Sequence, residues 1–347
     1  MSRQANESPI DRFPLRRVAV ATLLACGTLL TACGGGGADN PGGSTATPLS
    51  QSDATADAAN ASTTGSDTAA SLDAIVDTTS LLAQSTAQPA AATDDRMHAQ
   101  SASASAVTNV TVNCAGGGTA TVTISGGTAA TQLNGQLDAG EHYSVTYAQC
   151  TGQAGYAQLN GNVEMDVTAA DHTTSPSSVA VNLTVTHLVL SLPAGNATLD
   201  GSATLSRSVA TTNGTTTTTS HVTVPSATLA TAFNARTGSF TLSDLDATRV
   251  VTSVDGVATA SQYNGHHTLS GTAWGRTFSM TAATTGNVDY DAGGALVSGA
   301  WTVVRPHATV ATTIANGLGV ITVDEGNDGT IDHTWTFPAA QLAASAG

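Results

Sequence analysis

The chain has 347 residues, with ten Arg and no Lys against 25 Asp and Glu, and a formal net charge of −15. So acidic a composition excludes a nucleic-acid partner, because phosphate binding needs a basic face. The missing lysine also removes Schiff-base chemistry, the P-loop lysine and Ser-x-x-Lys pairs.

The first element is a leader over residues 1–32. Arg3, Arg12, Arg16 and Arg17 precede "VAVATLLACGTLLTA", Val18 to Ala32, a run without charge. As a helix that run spans roughly 22 Å, short of the ~30 Å hydrocarbon core. A basic start, a short apolar stretch and small residues at its end make a secretory signal. Its last residues with the next one, Leu30-Thr31-Ala32-Cys33, resemble the lipobox of bacterial lipoproteins. The resemblance implies cleavage before Cys33, a diacylglycerol on its sulfur and acylation of the new amino terminus. Two or three acyl chains at about 0.8 kcal/mol per buried methylene hold a protein firmly on a bilayer. Cys26, in "LLACG", offers a second such site, and the linker-like tail after Cys33 favours the latter. Gly34 stands where an Asp retains enteric lipoproteins in the inner membrane, so the resemblance implies the outer membrane, facing either side. The membrane is thus a partner reached through lipid, not through charge.

Residues 33–106 read as a flexible tether of Ala, Ser, Thr, Gly, Asp and Gln. It contains no aromatic residue, and the aromatics after the leader all lie at or beyond Tyr143. Such a segment buries too little apolar surface to offset its ordering entropy. One interruption, residues 71–84, places Leu72, Ile75, Val76, Thr79 and Leu82 near one helical face, with Ser71 as N-cap. A short helix is expected there, lying on the domain that follows.

Residues 107–338 change to a period-two alternation rich in Thr and Val. The apolar sets are Val122 and Ile124, then Tyr143, Val145 and Tyr147, then Leu159, Gly161, Val163, Met165 and Val167. Phe278, Met280 and Ala282 form another, and Ile331, His333, Trp335 and Phe337 the last. One apolar and one Thr/Ser/Asn/Asp face is the pattern of antiparallel sheets wetted on one side. Turn clusters recur too closely for helical crossovers. Several apolar-Asn/Asp/Ser-Gly triplets, among them Leu159-Asn160-Gly161, Leu199-Asp200-Gly201, Tyr263-Asn264-Gly265 and Leu269-Ser270-Gly271, crowd each other. Some of their glycines therefore belong inside strands, at bulges or bends. The expected fold is all-β: a long antiparallel meander forming a curved, open or closed barrel-like sheet, with a β-sandwich as the alternative. Residues 339–347 read as a tail. A membrane-spanning barrel is disfavoured, because the outward face is Thr and Ser and aromatics are scarce.

Cys114 and Cys150 remain once the leader cysteines are set aside, and an exported chain favours a disulfide between them. Asp324, Asp328 and Asp332 in "VDEGNDGTIDHTW" have the carboxylate density of a Ca²⁺ site, the only cofactor the sequence suggests. Gly326 and Trp335 depart from the EF-hand pattern, and Asn327-Asp328-Gly329 reads more simply as an acidic turn. His266 and His267 are adjacent, so in a strand they face opposite ways, and His333 alternates with apolar neighbours at a core or rim position. No His-Glu-x-x-His, Gly-x-Ser-x-Gly or Walker sequence occurs.

The function expected is that of an acyl-anchored envelope lipoprotein whose non-catalytic β-domain serves a binding, structural or surface-interaction role. A second expectation is a periplasmic carrier that holds a lipid or other apolar ligand in a curved sheet, as lipoprotein-carrier folds do, with the 71–84 helix as lid. An envelope hydrolase is a remote third. The sequence leaves the protein partner or apolar ligand unnamed.

Overall fold

In a computed structural model, the described residues are 48–86 and 108–345, less short gaps at 115, 129–130, 133, 135, 152–157, 193–194, 234–235 and 274–275. The segment read as a leader, Cys33 and the residues up to 47 lie outside that range. Helix α1 spans Gln51–Thr86. The strands then follow as β1 (Thr108–Asn113), β2 (Thr119–Gly126), β3 (Glu141–Thr151), β4 (Gln158–Asp171) and β5 (Ser177–Leu192). Next come β6 (Gly195–Thr212), β7 (Thr215–Phe233), β8 (Arg236–Val254), β9 (Val257–Ala273) and β10 (Arg276–Thr284). The last are β11 (Val288–Asp291), β12 (Leu296–Arg305), β13 (Ala308–Ala315), β14 (Leu318–Glu325) and β15 (His333–Pro338), with helix α2 at Ala339–Ser345.

Among the described residues, all fifteen strands belong to one antiparallel sheet that follows chain order, so the fold is a curved meander and not a sandwich. Only β11 leaves the path, pairing with both β9 and β12. The path ends at β1 and β15. Alternation decides which side chains face inward. Val122, Ile124, Tyr143, Val145, Val163, Met165 and Val167 are buried, as the period-two pattern requires. The outer face is wet and rich in hydroxyls that pair across strands, as between Thr204 and Thr223 at 2.7 Å and between Thr268 and Thr281 at 3.2 Å.

The crowded glycines sit within strands. Gly161, with φ of 126°, marks a register shift between β4 and β5, and a Cβ there would lie 2.7 Å from the Leu188 Cα. Gly201 lies within β6, Gly265 and Gly271 within β9, and Gly299 within β12. Shifts of this kind add local twist and let a broad sheet coil.

Cys114 and Cys150 form the expected disulfide, with Cα atoms 5.4 Å apart, tying the β1–β2 connection to β3. Closing a loop of 36 residues contributes roughly 3–4 kcal/mol in the chain-entropy model.

Three expectations need correction. Within the segment read as a tether, the helix begins at Gln51 rather than Ser71. Ser50 is its N-cap: Asp53 N donates to Ser50 Oγ at 3.2 Å, and that hydroxyl donates to Asp53 Oδ2 at 2.6 Å. Residues 339–345 of the expected tail form α2, which buries Leu342 and Ala339 in the core. Ile331 is 54% exposed and precedes β15, because Asp332 is held in the turn by the Glu325 amide.

Helix α1 lies on the inner face of the sheet. At about 1.5 Å per residue its 36 residues extend roughly 54 Å. Its first half, through Ala54, Ala58, Ala59 and Ala61, joins a core with Phe240, Met280, Trp301, Val310, Ile321 and Phe337. Its second half, through Ala69, Leu72 and Val76, joins a second core with Val122, Tyr143, Met165, Leu205 and Leu245. Leu72 and Val76 are buried and Ile75 is half-buried, as the sequence implies.

A candidate binding site under the helix

The contact between α1 and the sheet uses small side chains. Ala54, Ala58, Ala61, Gly65, Ala69, Leu72 and Val76 follow at spacings of three and four and form one buried stripe. Polar residues of the helix satisfy their hydroxyls locally: Ser62 Oγ donates to Ala59 O at 2.9 Å and Thr68 Oγ1 to Thr64 O at 2.7 Å. The sheet in turn donates to helix carbonyls, Trp301 Nε1 to Ala58 O at 3.0 Å and Tyr290 Oη to Ser62 O at 3.1 Å.

At Gly65 the helix approaches the sheet closely. A Cβ there would overlap Tyr263 Oη, lie 2.6 Å from Tyr263 Cζ and 3.3 Å from His267 Nδ1. Tyr263 is 2% exposed and has no room to swing aside. Helix propensity alone predicts that Gly65→Ala stabilises by up to about 1 kcal/mol. The expected result is the opposite sign, a loss of about 1–3 kcal/mol in urea unfolding, because overpacking outweighs propensity. Tyr263→Phe in the same chain is expected to restore part of that loss.

Beneath the second half of α1 the inner face carries a transverse polar row. Register places Arg207 of β6 beside Ser220 of β7, Ser220 beside Arg249 of β8, and Arg249 beside Tyr263 of β9. Arg207, Ser220 and Arg249 share the inward face with the buried Tyr263 because each lies two residues from a buried apolar neighbour, Leu205, Val222 and Ala247 in turn. Aspartates of α1 sit on this row. Asp73 Oδ1 accepts from Ser220 Oγ at 2.6 Å, and its Oδ2 lies 3.4 Å from Arg249 Nη1. Asp77 pairs with Arg207. Nearer the helix start, Asp57 lies 3.1 Å from Arg305 Nη1.

Burial governs the titration of these groups. Desolvation pushes the Asp57 carboxyl up to about 6, against the pull of Arg305. It pushes Asp67 up to about 6 as well, against the pull of Arg249. Asp73 is raised by the same cause, although the Ser220 hydroxyl, Arg207 and Arg249 all draw it down. Tyr290 rises to about 12 through burial. His267 falls to about 4, first through burial and then through the neighbouring His266, so its imidazole is neutral. Among the described residues, Tyr263 Oη and both ring nitrogens of His267 are buried without a hydrogen-bond partner.

Apart from His267, the residues singled out in the sequence fall elsewhere. His267 is buried under α1 while His266 is exposed on the outer face, opposite Asp246 of β8. His333 sits at the rim, its ring stacked on Trp335 and its Nε2 3.4 Å from Glu325 Oε1. That Glu325 oxygen also accepts from Leu49 N at 2.8 Å, just before α1 begins. The acidic turn folds its carboxylates onto backbone amides. Asp324 accepts from Asp328 N at 3.1 Å and Gly329 N at 2.9 Å, Asp328 from Thr330 N at 2.8 Å, and Asp332 from Glu325 N at 2.7 Å. These bonds build the turn. Among the described residues no three His, Cys, Asp or Glu side chains are grouped to hold a metal ion, and no helix is long and apolar enough to cross a membrane. Cys33 lies outside the described residues.

The Arg row and the aspartates above it have no sequence motif, because the partners are 130 to 176 residues apart. The local signal that does exist is the stripe of small residues from Ala54 to Ala69, with acids beside it. Comparison with protein-family models, with curated proteins and with solved structures finds no match.

Proposed function

We propose that the chain is an acyl-anchored lipoprotein of the cell envelope, held in the outer membrane through Cys33, whose non-catalytic β-domain serves a binding, structural or surface-interaction role. The observation that carries the reading is the order Arg-rich start, short apolar run, Leu30-Thr31-Ala32-Cys33. The Cys114–Cys150 disulfide supports it, since such bonds persist in oxidising compartments outside the cytosol. Metabolic labelling with an acyl analogue is expected to mark the wild type and to leave Cys33→Ser unmarked. An unlabelled wild type that retains its leader overturns the reading.

A second reading, a carrier of a lipid or other apolar ligand, is favoured by one observation. The inner face of the sheet is lined with large apolar side chains, yet the first half of α1 covers it through alanines, and only Leu72, Ile75 and Val76 of the second half offer larger apolar groups. Alanine removes less apolar surface from water than the leucine or phenylalanine it faces, so α1 is a weak occupant of a strong surface.

A further inference from the structure

We propose that the row Arg207–Ser220–Arg249 is a receptor for the headgroup of an anionic amphiphile, and that α1 occupies it as an internal stand-in. The proposal rests on the carrier reading and supplies its ligand class. Two guanidinium groups and a hydroxyl on adjacent strands, about 4.8 Å apart, form a cradle for a carboxylate or phosphate. Asp73 presents a carboxylate there, bonded to Ser220 at 2.6 Å and placed 3.4 Å from Arg249. On the same stretch of helix, Leu72 and Val76 rest in the core with Leu183, Leu205, Val222 and Leu245. A charged head with an apolar body beside it is the outline of a fatty carboxylate or an acidic phospholipid.

The placement of the arginines carries the argument further. Of the six Arg that follow the leader, Arg207, Arg249 and Arg305 lie on the inner face against aspartates of α1, in a chain whose surface is acidic. Partly buried ion pairs seldom stabilise more than an apolar contact of the same volume. Their advantage is that the cationic half stays competent for another anion once the helix leaves. Departure is confined to the second half of α1. The first half is held by Trp301 and Tyr290 on its carbonyls, by Arg305 on Asp57 and by Glu325 on Leu49 N. Gly65, at the division, is a weak point of the helix.

The test uses the full chain carrying Cys33→Ser with its disulfide intact, so attached acyl chains play no part. Oleate, oleoyl lysophosphatidate, oleyl alcohol and inorganic phosphate are titrated below micelle concentrations into this chain, into Asp73→Asn and into Arg249→Gln. Oleate or lysophosphatidate is expected to bind Asp73→Asn at least tenfold more tightly than the parent, and Arg249→Gln at least tenfold more weakly. Preference between those two ligands tells a carboxylate source from a phosphate source. Hydrogen exchange on the parent with ligand is expected to rise in residues 66–86 and to stay slow in 51–62 and in β5–β9. If Arg249→Gln does not fold, the parent and Asp73→Asn decide. Equal affinity for oleate and oleyl alcohol in both overturns the headgroup receptor and leaves the carrier standing. Binding of none of the amphiphiles, with residues 66–86 still protected, overturns both, as does phosphate alone binding as tightly as lysophosphatidate.

Discussion

Arg249→Met is expected to lower the free energy of unfolding by about 3 kcal/mol, and Asp73→Leu in the same chain is expected to recover most of that loss. The guanidinium of Arg249 acts on two carboxyls of α1. It lies 3.4 Å from Asp73 and draws down the titration of Asp67. Removing it leaves Asp73 buried against the sheet, with Ser220 and Arg207 still drawing on its charge. Truncating one member of a buried pair typically costs 3–5 kcal/mol, and the low end applies because those two groups remain. Replacing both members removes the desolvation problem together with the attraction, which is why the double variant returns toward the parent. Urea unfolding followed by tryptophan emission suits the measurement, since Trp301 donates directly to α1 and reports its docking. An exposed pair would give less than about 1 kcal/mol and no recovery in the double variant.

The strands of this fold are legible in the sequence because alternation on a half-buried sheet is imposed residue by residue. Val163, Met165 and Val167 are buried and Asp166 and Thr168 are exposed for no reason other than the pleat. The meander is legible because the turns come too often to leave room for crossovers. Helix α1 is read from the sequence over 71–84, where large apolar side chains recur at helical spacing. From Ala54 to Ala69 it packs with small residues, whose composition is that of a linker, and its stability comes from a sheet far away in sequence. Spacing still betrays it: small residues at 54, 58, 61, 65 and 69 keep a helical period that a tether has no need of. Arg207, Arg249 and Arg305 are legible as inward-facing, two residues beyond Leu205, Ala247 and Val303. A charge on an apolar face requires a partner, but nothing local says that the partner is an aspartate of α1.

The same aspartates set the pH dependence. Asp57 and Asp67 titrate at about 6 in the folded chain and at an ordinary 3.8 when exposed, and Asp73 is raised as well. Carboxyls shifted upward by burial bind protons more tightly in the folded state. Their contribution is fully present below 3.8 and is lost as the pH rises through 6. For Asp57, moving from 3.8 to about 6 corresponds to roughly 3 kcal/mol. His267 works against them: held neutral down to about 4, it destabilises the fold as the pH falls from 6.5. Between pH 4 and 6, Asp57 and Asp67 outweigh the one imidazole, so stability is expected to fall as pH rises across that window. Below 4 the trend reverses, because Asp171 and Asp328 are held low by backbone and hydroxyl donors and lose those bonds on protonation. Urea midpoints measured from pH 3.5 to 7.5 are therefore expected to peak near pH 4, with Asp57→Asn and Asp67→Asn together flattening the decline. General repulsion in so acidic a chain gives a slope of the same sign, but it is screened within about 4 to 5 Å in 0.5 M salt, whereas the buried carboxyls are not. A slope that vanishes in salt and ignores both substitutions would mean that α1 does not bury these acids against the sheet.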